Sequence, residues 1–157
     1  MVNIPVRHMT GNASPLADPQ NARAAEFVLS YPCIDVDFYW SKAQPVAEAS
    51  RALALIDTGA DHIYVRPELI EKHGCPSVPG MISNINGGAA RGYHRASLRI
   101  VGTDRVVTVD VISHDAAGNA WSYDIVLGRR FLQFCRLGWD GHAQTVTLDF
   151  GLREGAF

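Results

Sequence analysis

Residues 33–40 read CIDVDFYW. In an extended chain Ile34, Val36, Phe38 and Trp40 point one way and Asp35 and Asp37 the other, because successive strand side chains alternate between faces. The stretch is therefore read as a half-buried strand. The same period of two returns in RVVTVDVIS (Arg105–Ser113) and TVTLDF (Thr145–Phe150), while RALALID (Arg51–Asp57) and YDIVLG (Tyr123–Gly128) are apolar runs of strand length. Within MISNINGGAARGYHRASLR (Met81–Arg99), Asn86-Gly87-Gly88 signals a hairpin, since the favoured two-residue turns need positive φ. Short strands punctuated by Gly and Pro, with little helix, point to an all-β barrel or sandwich.

Helical signals are few. Asp18-Pro19 has the form of an N-cap and first helical position, which predicts a helix over Asp18–Phe27. RPELIEKHG gives one or two turns, with Pro67 at the start and Gly74 at the stop. RRFLQFC (Arg129–Cys135) reads as one short C-terminal helix, followed by CRLGWD, a polar turn GHAQ, and TVTLDF. Residues 1–17 read as a loose arm.

Composition narrows the function classes. The chain has 157 residues, 47% apolar and 19% charged, which suits a globular core rather than disorder. Fourteen basic against sixteen acidic residues give a net charge of -2, no electrostatic footprint for nucleic acid. No apolar run of about 18 residues predicts a membrane-spanning helix, and the start lacks the apolar region of a signal peptide. Cys33, Cys75 and Cys135 are odd in number and lack metal spacing. The expectation is a reduced, cytoplasmic protein with no metal, no cofactor, no nucleic-acid partner and no membrane partner. The histidines His8, His73, His94, His114 and His142 show no ligand spacing and are read as surface residues.

One strand ends oddly. LALIDTGAD (Leu53–Asp61) runs apolar and stops at Asp57-Thr58-Gly59-Ala60. A carboxylate at the end of a buried strand is costly unless something satisfies it. Thr58 brings a hydroxyl, and Gly59 permits a tight turn whose N–H can reach a nearby carboxylate oxygen. On these residues alone, Asp57 is either a reactive group or an ordinary turn cap, since Asp and Gly dominate turns.

Three motifs in order carry a resemblance over Ala52–Phe150. LALIDTGAD resembles the catalytic strand and loop of the retropepsins, the single-domain aspartic proteases of retroviral type. MISNINGG resembles their flap, the hairpin that closes over substrate, and DIVLGRRFL resembles their second apolar-apolar-Gly element. The resemblance implies a closed acid-protease-type β-barrel with a flap hairpin and one short C-terminal helix. It places a single retropepsin-like domain at 25–157. Residues 1–24 would be an arm: flexible, a pro-segment removed by self-cleavage, or a cover for a neighbouring subunit.

The function implied is an aspartic endopeptidase working on a peptide or protein substrate as a homodimer. The chain carries one D-T-G, and each subunit of such an enzyme supplies one Asp. The alternative is a catalytically silent module of the same fold that binds peptide or mediates dimerisation. Asp57 would be catalytic, Thr58 and Gly59 supporting. Substrate would lie against Ala60, Asp61 and Arg129 below and Ile82, Ser83, Asn84 and Ile85 of the flap above. Asp61 is expected to pair with Arg129. Ala60 cannot donate to a carboxylate as a hydroxyl there could, which implies a pH–rate optimum less acidic than in relatives carrying Ser or Thr. His62 replaces an acidic residue common in viral members and is read as a rim contact or solvated loop residue. Which terminal segment, CRLGWD or TVTLDF, matches the family's last strand stays open.

Overall fold

The computed structural model describes residues 1–10, 14–19, 22–40, 48–84, 90–114 and 123–151. In chain order its first elements are β1 (Val2–Ile4), β2 (Arg7–Met9), α1 (Ala24–Leu29), β3 (Tyr31–Tyr39), β4 (Ser50–Ile56), β5 (Ile63–Val65) and α2 (Pro67–Lys72). Then follow β6 (Ser77–Asn84), β7 (Ala90–Ile100), β8 (Val106–Ser113), β9 (Ile125–Leu127), α3 (Arg129–Leu132), β10 (Cys135–Asp140) and β11 (Thr145–Phe150).

Six strands form a closed barrel, as the resemblance implies; the short runs by themselves leave barrel and sandwich open. The order β3-β4-β9-β5-β8-β7 returns on itself because β7 also pairs with β3, Val36 opposite Ile100 through Tyr39 opposite Ser97. Closure leaves those strands without a free edge. β2 takes the same edge of β3 at its start, Arg7 opposite Cys33, and β6 extends the sheet beyond β7. The β6–β7 pair is antiparallel and bulges between Val78 and Ile82. The residues joining the two strands, including Ile85 and the Asn86-Gly87-Gly88 signal, lie outside the described residues.

The core fills the barrel with the inward set of each strand. Ile34, Val36 and Phe38 meet Ala52, Ala54 and Ile56, Ile63 and Val65, Leu98 and Ile100, and Ile125 and Leu127. β3 departs from the expected half-burial. Cys33 and Asp37, on its outer face, are also buried. Asp37 tolerates burial because its two oxygens accept from Arg51 Nε (2.7 Å) and Arg99 Nε (2.8 Å) on the flanking strands.

The chain ends differ from expectation. Residues 1–17, read as a loose arm, contain two strands, and Ile4 of β1 belongs to the core. β1 pairs with one side of β11 and β10 with the other, so CRLGWD and TVTLDF are both strands of one three-stranded sheet. Phe150 of β11 stacks on Phe131 at 5.8 Å. The helix predicted over Asp18–Phe27 instead spans Ala24–Leu29. Its start is set by Glu26, whose carboxylate accepts from the Arg23 N–H at 3.2 Å, and by Phe27 packing on His8 and Trp139. Tertiary contact outweighs the Asp-Pro signal here. His8 and His73, read as surface residues, are buried, bonded to the hydroxyls of Ser30 and Ser50. Among the described residues no helix is long and apolar enough to cross a membrane.

Candidate active site

β4 and β9 run parallel, with Ala54, Leu55 and Ile56 opposite Ile125, Val126 and Leu127. The ladder continues one step further, as the Asp57 N–H donates to the Leu127 carbonyl at 3.2 Å. Asp57 then leaves the barrel half-buried and the chain turns sharply. The Gly59 N–H donates to Asp57 Oδ1 at 2.8 Å, and the Ala60 N–H to the Asp57 carbonyl at 3.3 Å. Among the described residues the Gly59 N–H makes the only hydrogen bond to the Asp57 carboxylate, and it goes to Oδ1. Thr58, Gly59 and Asp61 are exposed. Among the described residues the Thr58 hydroxyl has no hydrogen bond within the chain.

What holds this loop is the segment after β9. The N–H groups of Gly128, Arg129 and Arg130 donate in turn to the carbonyls of His62 (3.1 Å), Ala60 (2.8 Å) and Asp61 (3.0 Å). The start of α3 would otherwise leave these donors unsatisfied. Gly128 is required by contact, not by φ: a Cβ there would lie 2.2 Å from the His62 carbonyl oxygen and 2.6 Å from that of Ala60. The Arg129 guanidinium pairs with the Asp61 carboxylate. Both side chains are mostly exposed, so the pair adds orientation more than stability.

The structure thus brings Asp57, Gly59, Ala60, Asp61 and Arg129 into one interlocked loop pair. Ile82, Ser83 and Asn84 lie on β6 at the sheet edge, opposite Gly92, Arg91 and Ala90. Ile85 lies outside the described residues. Among the described residues no three His, Cys, Asp or Glu side chains converge as metal ligands would.

A second group of side chains adjoins the loop. Leu55, Val126, Tyr64, Ile112 and Tyr93 stand in one row across the sheet, fixed by the registers Leu55–Val126, Val126–Tyr64, Tyr64–Ile112 and Ile112–Tyr93. They occupy the face opposite the barrel core. The Tyr93 hydroxyl sits 3.2 Å from His62 Nδ1 and 3.4 Å from Nε2, the two rings 5.6 Å apart and nearly perpendicular. The Arg130 guanidinium lies over the Tyr93 ring at 5.6 Å, and Tyr64 meets both His62 and His114 edge-on. Burial, then the Arg130 charge, holds the His62 imidazole below its usual range. Burial, then Tyr93 and Asp57, pushes the Tyr64 hydroxyl up, so it stays a neutral donor. The sequence hid this group: its members meet through pairings between strands far apart in the chain, the parallel β4–β9 and β5–β8 among them, which no local pattern announces.

The chain matches no protein-family model, and no curated protein matches it. Among solved structures it is similar to the EIAV protease complexed with the inhibitor HBY-793 (16% identity over 66% of this chain and 86% of that one, TM-score 0.43). It is also similar to a retropepsin-like aspartic protease from Rickettsia conorii (13%, 76% and 81%, TM-score 0.49). A third is the retroviral protease-like domain of Ddi1 from Leishmania major (15%, 80% and 98%, TM-score 0.44). With identities of 13–16% and TM-scores below 0.5, the chemistry rests on the geometry of Asp57 and its loop.

Proposed function

We propose that the protein is an aspartic endopeptidase that acts as a homodimer, one Asp57 from each copy sharing a proton and activating a water. The observation that carries the reading is the setting of Asp57. Its carboxylate is anchored by the Gly59 N–H on an exposed turn, and that turn is locked from behind by Gly128–Arg130. A turn cap needs no such second support. A catalytic group does, because its position must hold to a fraction of an ångström.

Two carboxylates brought near contact cannot both ionise, so the pair holds one proton between them. The ionised member takes a proton from the intervening water, whose oxygen attacks the peptide carbonyl. The protonated member hydrogen-bonds the developing oxyanion and gives up its proton to it. The tetrahedral intermediate then collapses: the protonated member gives its proton to the leaving amine, and the ionised member takes a proton from one hydroxyl of the intermediate as the new carbonyl forms, so the pair again holds one proton. No covalent enzyme intermediate forms. Thr58, exposed on the same turn, bridges to the partner's loop. Ala60, Asp61 and Arg129 form the floor under the substrate backbone, and Ile82, Ser83, Asn84 and Ile85 the flap above it. The protein works in the cytoplasm without a metal or cofactor.

The test is cleavage of a mixed peptide library across pH, read by mass spectrometry, for the protein and for Asp57→Asn. The substitution keeps shape and removes the ionisable pair, so cleavage falls by at least about 10²–10⁴-fold. Equal cutting by both proteins assigns the activity elsewhere. If neither cuts and both bind peptide, the chain is a silent peptide-binding module.

A further inference from the structure

His62 sits directly behind the loop that presents Asp57 and Asp61, and its carbonyl is one of the three that hold Gly128–Arg130. Its ring, half-buried, faces Tyr93, which is 5% exposed on β7. The Tyr93 hydroxyl lies within 3.4 Å of both ring nitrogens, so it is within reach of whichever one is unprotonated. One contact therefore joins the candidate catalytic loop to a barrel strand 31 residues later. We propose that His62 and Tyr93 are positioning residues of the site, clamping the Asp57 loop to β7 through a hydrogen bond that holds while His62 is neutral and weakens when it is protonated.

The chemistry follows from donor count. A neutral imidazole keeps one bare nitrogen, and Tyr93 donates its O–H to it. The imidazolium has two N–H groups and no acceptor, so Tyr93 must turn its hydroxyl and accept instead. That reversed bond is formed beside a second positive charge, because the Arg130 guanidinium rests on the Tyr93 face. The charged and titratable groups around His62 set the balance. Tyr64 meets it from β5, Tyr93 from β7 and Arg130 from α3, with Asp57 and Asp61 on its own loop. Asp61 is taken by Arg129, and Asp110 of β8 accepts from Arg95 at 3.0 Å and faces Arg130 at 4.0 Å. Asp61 and Asp110 thus already have cations, and burial with the Arg130 charge favours the neutral ring. The clamp is complete above about pH 6.5, the usual value for His, and is lost as pH falls through the lowered value of His62.

The proposal gives the clamp a role in the proteolytic reading of Asp57 and rests on that reading for its effect on KM. Two measurements separate them. Hydrogen exchange, corrected for intrinsic rate, is followed at pH 8 and pH 5 over residues 58–65 and 90–95 in the protein, in Tyr93→Phe and in His62→Asn. Protection in the unmodified protein falls at least threefold from pH 8 to pH 5. In both variants it is already low at pH 8 and changes little with pH. Equal protection in all three at both pH values overturns the clamp, whether or not any of them cleaves peptide. KM for a cleaved peptide is then measured from pH 5 to 8. It rises several-fold toward acid in the unmodified protein and stays flat in both variants, with kcat changed far less. A KM profile identical in all three also overturns the clamp. Absence of cleavage in every protein, with the exchange pattern as expected, overturns the proteolytic reading and leaves the clamp standing.

Discussion

Gly128 shows how much of the site is decided at single residues. Its Cα faces two carbonyl oxygens of the Asp57 loop with no space for a methyl group. Gly128→Ala must push the loop off α3, breaking the three hydrogen bonds that hold it. We expect destabilisation of roughly 3 kcal/mol or more, a fall in Tm on the order of 10 °C, and loss of cleavage. Calorimetry on the purified variant checks it, and an unchanged Tm would show that the loop has slack which the geometry denies. At this scale the sequence is informative where chemistry is local. The turn at Asp57-Thr58-Gly59 and the Gly before Arg129 are visible as residue types. The contact of His62 with Tyr93 is not, because a histidine outside a ligand pattern carries no periodic signal. The burial of His8 and His73 escaped for the same reason.

Among elements, the pattern of alternation proved to be the most readable feature. β8 and β11 fall where alternation places them and β4 and β9 where apolar runs of strand length do, because each must turn one face to the core. β3 shows the limit: alternation marked Asp35 and Asp37 as the wet face, yet Asp37 is buried by arginines from two other strands. No local pattern reveals a partner that arrives from β7. Burial alone would raise the Asp37 carboxyl, but bonds and charge from Arg99 and Arg51 outweigh it and hold the group below its ordinary 3.8. Its stabilising contribution is therefore present above about pH 3.8 and lost as pH falls through the lowered value. We expect Asp37→Asn to lower stability by about 2–3 kcal/mol at pH 7, less than a fully buried pair because both guanidiniums reach solvent. Urea unfolding at pH 7 and at pH 3 tests this: the gap between the two proteins narrows in acid. A gap independent of pH would assign the loss to packing.

The proposed chemistry at the scale of the whole molecule requires two copies, since one chain presents one Asp57. Specific activity should then fall in proportion to concentration once the protein is diluted below its dimer dissociation constant, and recover on reconcentration. Constant specific activity over a thousandfold dilution, with a monomer seen by sedimentation, contradicts a shared site. The terminal sheet was the least legible part of the fold, because its order depends on strands from opposite ends of the chain. β11 is its middle strand, with β1 on one side and β10 on the other. β1 is tied to β11 across 146 residues, as where Asn3 donates to Asp149 at 3.1 Å. On a ribosome, at about 5–20 residues per second, the first strand therefore waits roughly 7–30 s for its partner to be made. Until then Ile4 lacks its pairing partner Leu148, and the support behind α3 lacks Phe150. The bracing of α3 by Phe150 is thus deferred until synthesis has passed β11, so under the proposed function a nascent chain still short of that strand carries a site without its last support.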